Sequence, residues 1–232
     1  MNQITSPTRS LEFWDVANNR PLRFEAKQLV LAGYTGRDQE SVRRHIEELA
    51  QQGVPVPKRV PELYTVNPLS LQVGGTVWAN DGSSSGEVEY VLLIEKDDLF
   101  VTVGSDHTDR ALEALTVEKS KQIYPKVLGR EVWRVNQLMK EWDGLILRST
   151  VTEGEAEHEY QSGTLGGLIT AKNLQELIGN VGQPGTVIFS GTMPLIGGQV
   201  RYGSRFIGEL ASPDGRVLAR CSYDISMLVQ VS

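Results

Sequence analysis

A single cysteine among 232 residues, Cys221, excludes an internal disulfide and fits a reducing compartment. It lies in Val217-Leu218-Ala219-Arg220-Cys221-Ser222-Tyr223, which reads as a buried strand rather than as the surroundings of a nucleophile. Histidine is scarce, with three in the chain, and no His/Cys cluster of the kind that holds zinc occurs. Basic clusters are missing as well. The 23 Lys+Arg stand against 29 Asp+Glu, a net charge of −6, which argues against a nucleic-acid surface. No apolar run approaches membrane-spanning length, and the first twenty residues hold none of the signal-peptide kind. A cytoplasmic protein with no membrane partner is expected. Internal repeats and low-complexity segments are absent.

What remains is ordinary globular composition, 40% hydrophobic with 23 Gly and 10 Pro. One large domain, or a domain with a small appendage, fits that length and composition. The most informative stretch is Gly86-Glu87-Val88-Glu89-Tyr90-Val91-Leu92-Leu93-Ile94, which follows the turn-rich Asp81-Gly82-Ser83-Ser84-Ser85. Its β-branched and aromatic run predicts a strand. Alternation puts Glu87 and Glu89 on one face with Val91 and Leu93, and Val88, Tyr90, Leu92 and Ile94 on the other. Both faces are apolar beyond the start, so the strand is buried on both sides. Two carboxylates roughly 7 Å apart at the mouth of such a strand repel each other and lose hydration. Either the strand start lies in water or a cation sits between the pair.

The rest of the chain supplies other candidates. Short strands are expected over 11–31, with no chemistry in them. A helix is expected from Asp38, its N-cap, to about Gln52, with Val42, Ile46, Leu49 and Ala50 as its apolar stripe. His45 and Glu48 are neighbours on its surface, where a carboxylate can fix an imidazole tautomer and raise its basicity; an ordinary surface pair gives the same pattern. The proline-rich 52–71 reads as an extended ordered loop. Leu99-Phe100-Val101-Thr102-Val103 is a strand that ends at Gly104-Ser105-Asp106, ahead of a helix from Asp109 through Leu115. Asp106 therefore stands either at a functional strand end or as a helix cap. Lys119 to Pro125 reads as a polar bend. Thr186 to Ser190 is a strand running into Gly191-Thr192-Met193-Pro194, and 205–223 is a hairpin across Ser212-Pro213-Asp214-Gly215.

In order, these parts resemble the fumarylacetoacetate hydrolase superfamily over roughly 30–225. Gly33-Tyr34, His45-Ile46-Glu47-Glu48, the proline-rich loop, Glu87-Val88-Glu89, Gly104-Ser105-Asp106, Ser120-Lys121 with Pro125, Ser162-Gly163-Thr164 and Ser190-Gly191-Thr192-Met193-Pro194 match its motifs in sequence. Asp106-His107-Thr108-Asp109-Arg110-Ala111 departs from the family's Asp-x-Ser/Thr-Ala-Arg-Asp at the second aspartate, and Met193 is inserted into Gly-Thr-Pro. The pattern is that of a divergent branch.

The resemblance implies an α+β fold, a mixed β-sheet roll with peripheral helices, as one domain over 1–232 with 1–30 a short N-terminal strand segment. It implies a homodimer. It also implies Mg2+, or Mn2+ or Ca2+, on Glu87, Glu89 and Asp106, and three hard carboxylates suit such a cation. His45, oriented by Glu48, would be the general base, and Lys121 the cation facing a developing enolate. Gly191 and Thr192 would hold the carboxylate of a small keto-acid substrate; Arg37, Arg148 and Arg205 are further cations that could reach one. The expected activity is metal-dependent hydrolysis of a C–C bond in an acylpyruvate-like diketo acid. Decarboxylation, isomerisation or hydration of a 2-keto diacid uses the same residues. A non-catalytic binder of metal and small acid, or a structural β-rich protein with solvated acidic motifs, are the other two classes.

Overall fold

A computed structural model describes residues 7–51, 56–179 and 183–229, the side chains of His45 and Leu49 excepted. Its architecture is two large mixed sheets with few helices. The ten-stranded sheet runs Arg20–Ala26, Arg9–Asp15, Glu131–Arg134, Leu99–Asp106, Val88–Ile94, Thr186–Phe189, Gln28–Gly33 and Glu62–Val66, with Lys126–Leu128 and Leu71–Val73 branching from Leu99–Asp106. The five-stranded sheet runs Ala156–Thr164, Ile146–Glu153, Arg205–Ala211, Val217–Met227 and Thr76–Ala79. The expected α+β architecture, a mixed β-sheet with few helices, is what forms. No described helix is long and apolar enough to cross a membrane.

Val88–Ile94 lies inside this arrangement, buried at every position. Val88, Tyr90, Leu92 and Ile94 face one core, shared with Leu147, Tyr160, Phe206, Leu210 and Tyr223 of the five-stranded sheet. Val91 and Leu93 face a second core with Phe13, Phe24, Leu31 and Phe189. The two-sided burial follows from the apolar run itself, because a strand with both faces apolar is stable only between two layers.

Three segments differ from the sequence expectation. Glu62–Val66, inside the proline-rich stretch, is an edge strand on Gln28–Gly33. Its flanking prolines, Pro61 and Pro68, lie outside the paired residues, where their missing N–H costs no ladder bond. Gln52 to Pro55, including the expected helix stop, lie outside the described residues. The helix expected through Leu115 covers only Arg110–Glu113, and the expected bend at Lys119 is instead the helix Val117–Ile123. Glu118, Lys119, Lys121 and Gln122 are good helix formers, and Pro125 stands beyond the helix end.

Candidate metal and substrate site

Sheet register assembles the site. Glu89 pairs with Gly104 and Val88 with Ser105, so Glu87 lies beside Asp106, whose N–H donates to the Glu87 carbonyl at 3.0 Å. On its other side Asp106 stands opposite Lys126. Glu87, Glu89 and Asp106 thereby offer carboxylate oxygens that all lie within 4.8 Å of one another. Beside the cluster, Gly104 permits close packing of the core, since a Cβ there would meet Val91 and Phe189 carbons at 2.8 Å.

Cations surround part of the cluster. Lys121 Nζ lies 2.7 Å from Asp106 Oδ2, 3.0 Å from Glu87 Oε2 and 3.2 Å from Glu113 Oε1. Lys126 Nζ lies 2.7 Å from Asp106 Oδ1 and donates to the His107 carbonyl at 2.7 Å. Arg110 bridges Glu87 at 2.9 Å and Glu113 at 2.8 Å, and its Nε donates to Ser85 Oγ. Asp109, not Asp106, caps the short helix, by accepting from the Leu112 N–H. Glu89 makes no ion pair among the described residues; its Oε2 accepts from the Gly191 N–H at 2.7 Å.

The electrostatics follow from these contacts. Burial, then the charges of Asp106 and Glu87, push the Glu89 carboxyl well above the usual range. Asp106 is held far below its ordinary value: burial alone would raise it, and the two lysines override that. Its carboxylate charge in turn drives Lys121 up against the cost of burial. Burial pushes Lys126 down, opposed by Asp106. Its two acceptors at 2.7 Å are nevertheless those of an ammonium. Four carboxylates thus face three cations, and the least compensated carboxylate, Glu89, is 3% exposed. Hard oxygen donors around an uncompensated buried carboxylate fit a divalent cation such as Mg2+.

The expected partners fall in different places. Lys121 is in the cluster. Glu48 is exposed on the helix Gln39–Gln51, and His45 lies on the same helix, its side chain outside the described residues. Gly191 and Thr192 reach the cluster through the backbone: the Gly191 N–H goes to Glu89, and the Thr192 hydroxyl donates to the Val88 carbonyl at 2.7 Å. Gln161, fully buried, donates to Thr192 Oγ1 and the Met193 carbonyl and accepts from the Val88 N–H, so it ties that loop to the glutamate strand. The inserted Met193 is buried and packs its sulfur over Gly163. Arg37, Arg148 and Arg205 are engaged elsewhere, by Asp143, Glu209 and Asp224.

Lys126 and Glu113 carry no functional signal in the sequence, while Arg110 and Tyr34 stand there only as members of matching motifs with no role assigned. Tyr34 stands close enough to Glu113, Glu87 and Lys121 to feel their charges, in a left-handed conformation with φ 58°. His107 is wholly buried between Tyr223 OH at 2.9 Å and Ser84 Oγ at 3.0 Å, and burial lowers its pKa to about 3.

Comparison with solved structures gives the same architecture. A 2-keto-3-deoxy-D-arabinonate dehydratase in its apo form matches 88% of this chain and 74% of its own, with a TM-score of 0.63 and 12% identity. Cg1458 with inhibitor matches 98% and 92%, at 0.62 and 14%. Maleylpyruvate hydrolase from Sphingobium.sp SYK-6 matches 92% and 79%, at 0.58 and 12%. These are structures of the fumarylacetoacetate hydrolase superfamily, and at such identities the likeness is one of fold. No curated protein sequence matches. The model of one family, described as a protein of unknown function (DUF2848), spans residues 32–223 and so takes in the whole carboxylate cluster; the chain belongs to the DUF2848 family.

Proposed function

We propose that this protein is a divalent-metal-dependent hydrolase that cleaves a C–C bond in a small acylpyruvate-like diketo acid. One observation carries the reading: Glu87, Glu89 and Asp106 converge within 4.8 Å, and Glu89 is buried with no ion pair among the described residues. These three would hold Mg2+, Mn2+ or Ca2+. A bound ion of this kind supplies Lewis acidity toward charge developing on a substrate oxygen.

The chain's own groups do the remaining work. His45, with Glu48 three residues on, takes a proton from water, whose oxygen attacks the acyl carbonyl. The C–C bond then breaks, and its electron pair leaves as the enolate of pyruvate, which takes up a proton. Water and acylpyruvate thus give a carboxylic acid and pyruvate. Lys121, held by Asp106, Glu87 and Glu113, balances the negative charge of the leaving enolate. Gly191 and Thr192 border the substrate carboxylate while they position Glu89 and the strand start. The protein acts as one domain over 1–232, as a cytoplasmic homodimer.

A second reading is elimination of water from a 2-keto-3-deoxy acid, which the dehydratase sharing this fold brings to the site. The test is a substrate panel with Mg2+ or Mn2+: acylpyruvates, a 2-keto-3-deoxy sugar acid and oxaloacetate. Pyruvate release from an acylpyruvate, abolished by EDTA and by Glu89→Gln, is expected. Dehydration or decarboxylation without acylpyruvate cleavage would overturn the hydrolase assignment. Metal binding with no turnover of any of them would make the protein a binder.

A further inference from the structure

The carboxylate cluster meets water through Glu87 and Glu113. Their side chains are 17% and 21% exposed, against 2% for Asp106 and 3% for Glu89 as a residue. Glu113 is held by Arg110 at 2.8 Å and Lys121 at 3.2 Å. Beyond it stand two phenols and a further carboxylate. Tyr34 lies close enough to Glu113, Glu62, Lys121 and Glu87 to feel all four charges. Glu62 and Tyr64 share one face of the edge strand Glu62–Val66, and Tyr64 donates its hydroxyl to Glu62 Oε2 at 3.1 Å. Gln122, next to Lys121, fastens this strand to the helix Val117–Ile123. It donates to the Thr65 carbonyl at 2.8 Å and accepts from the Asn67 N–H at 3.2 Å. Tyr34, Glu62 and Tyr64 are each partly buried, so each still meets solvent. Lys58 and Arg59, just before the strand, are exposed, where water and salt screen their charge. The cations of the cluster itself are all engaged: Arg110, Lys121 and Lys126 each sit in an ion pair.

We propose that the substrate carries a single carboxylate, at the keto-acid end that meets the metal, and an uncharged tail, with Glu113 and then Glu62 excluding a second carboxylate. The inference rests on the keto-acid reading above and narrows it. The four carboxylates and three cations of the cluster leave one negative charge. A divalent ion reverses this to one positive charge, and a substrate with one carboxylate balances it. A second carboxylate would make the site negative again. Its way outward passes Glu113 and then Glu62, where a like charge is repelled and loses hydration. The hydroxyls of Tyr34 and Tyr64 suit a neutral oxygen in the tail, a keto or hydroxyl group, to which a phenol can hydrogen-bond. Glu113 acts by repulsion and takes no part in moving protons. Rejecting a wrong ligand by an unfavourable charge is a common source of specificity.

The test is calorimetric titration of the Mn2+-loaded protein with 2-oxoglutarate and with its 5-methyl ester. The two share the keto-acid head and the chain, and differ in the charge of the tail. Wild type is expected to bind the ester about tenfold or more tightly than the diacid, and Glu113→Gln to bring the two affinities within about threefold. A diacid bound as tightly as the ester, or more tightly, by wild type overturns the proposal. A wild-type preference that Glu113→Gln leaves undiminished overturns the role given to Glu113. Should Glu113→Gln fail to fold or to hold Mn2+, Glu62→Gln, which is not a residue of the metal cluster, takes its place: the preference is expected to narrow, and an unchanged preference overturns the assignment. Wild type that binds Mn2+ but neither ligand overturns the keto-acid reading, and this inference with it. Wild type that binds no Mn2+ overturns the metal reading that underlies both.

Discussion

The backbone N–H of Gly191 points at Glu89 Oε2 from 2.7 Å, across 102 residues of sequence. Gly191 can do this because it sits at φ +83°, beside the Ala32 carbonyl, which an added Cβ would meet at 2.8 Å. The strand Thr186–Phe189 delivers the turn, and its pairing with Val88–Ile94 fixes the distance. The Gly-Thr segment therefore orients a carboxylate of the cluster through its main chain.

Gly191→Ala should consequently weaken both fold and site. The left-handed backbone alone costs an ordinary residue about 1–2 kcal/mol, and the close carbonyl adds to that. The expected outcome is a lower urea midpoint together with weaker Mn2+ binding. Unchanged values of both would show that Glu89 is held by something else.

Acid should destabilise the protein through His107. Its folded pKa is lowered to about 3 from an ordinary 6.5 by burial, with Lys126 and Arg110 adding to the effect. Above pH 6.5 the ring is neutral in both states and its packing is fully stabilising. Below it the unfolded chain takes up the proton first, so stability falls by roughly 1.4 kcal/mol per pH unit until the folded pKa is reached. Glu89 shifts the other way: its raised carboxyl binds a proton in the folded state first, which opposes the loss on acidification. Comparing wild type with His107→Gln at pH 7.5 and 5.0 by urea unfolding isolates the histidine, with about 2 kcal/mol more acid loss expected in wild type. Parallel losses in the two proteins would contradict the assignment.

The legible part of this fold was the part written in alternation. Val88–Ile94 shows its two buried faces in the sequence, and the carboxylates at its start stand out against them. Asp106 became a partner of Glu87 and Glu89 only through the order of weak motifs, because strand pairing, not local pattern, brings it there. Lys126 was invisible for the same reason: its link to Asp106 is a register relation between two strands. The one local signal was a lysine heading the short apolar run Val127-Leu128. Arg110 stands out only as the arginine of the motif at 106–111, Glu113 carries no signal within the expected helix, and the segment before Pro125 that reads as a polar bend is the helix Val117–Ile123 carrying Lys121. Gly191 and Thr192 pointed to the right loop, though their donors serve Glu89 and Val88 in this structure.

The central claim is that a divalent cation belongs among Glu87, Glu89 and Asp106. Thermal unfolding of wild type and Glu89→Gln, each with excess Mn2+ and with EDTA, tests it most directly. Metal at about 100 times its dissociation constant should stabilise the wild type by roughly 2.7 kcal/mol, several degrees for a chain of this size. Glu89→Gln should show no such shift, and in EDTA it should unfold at or above the wild-type temperature, because the buried like-charge repulsion is gone. No metal-dependent shift in the wild type, or an equal shift in both proteins, would contradict the account.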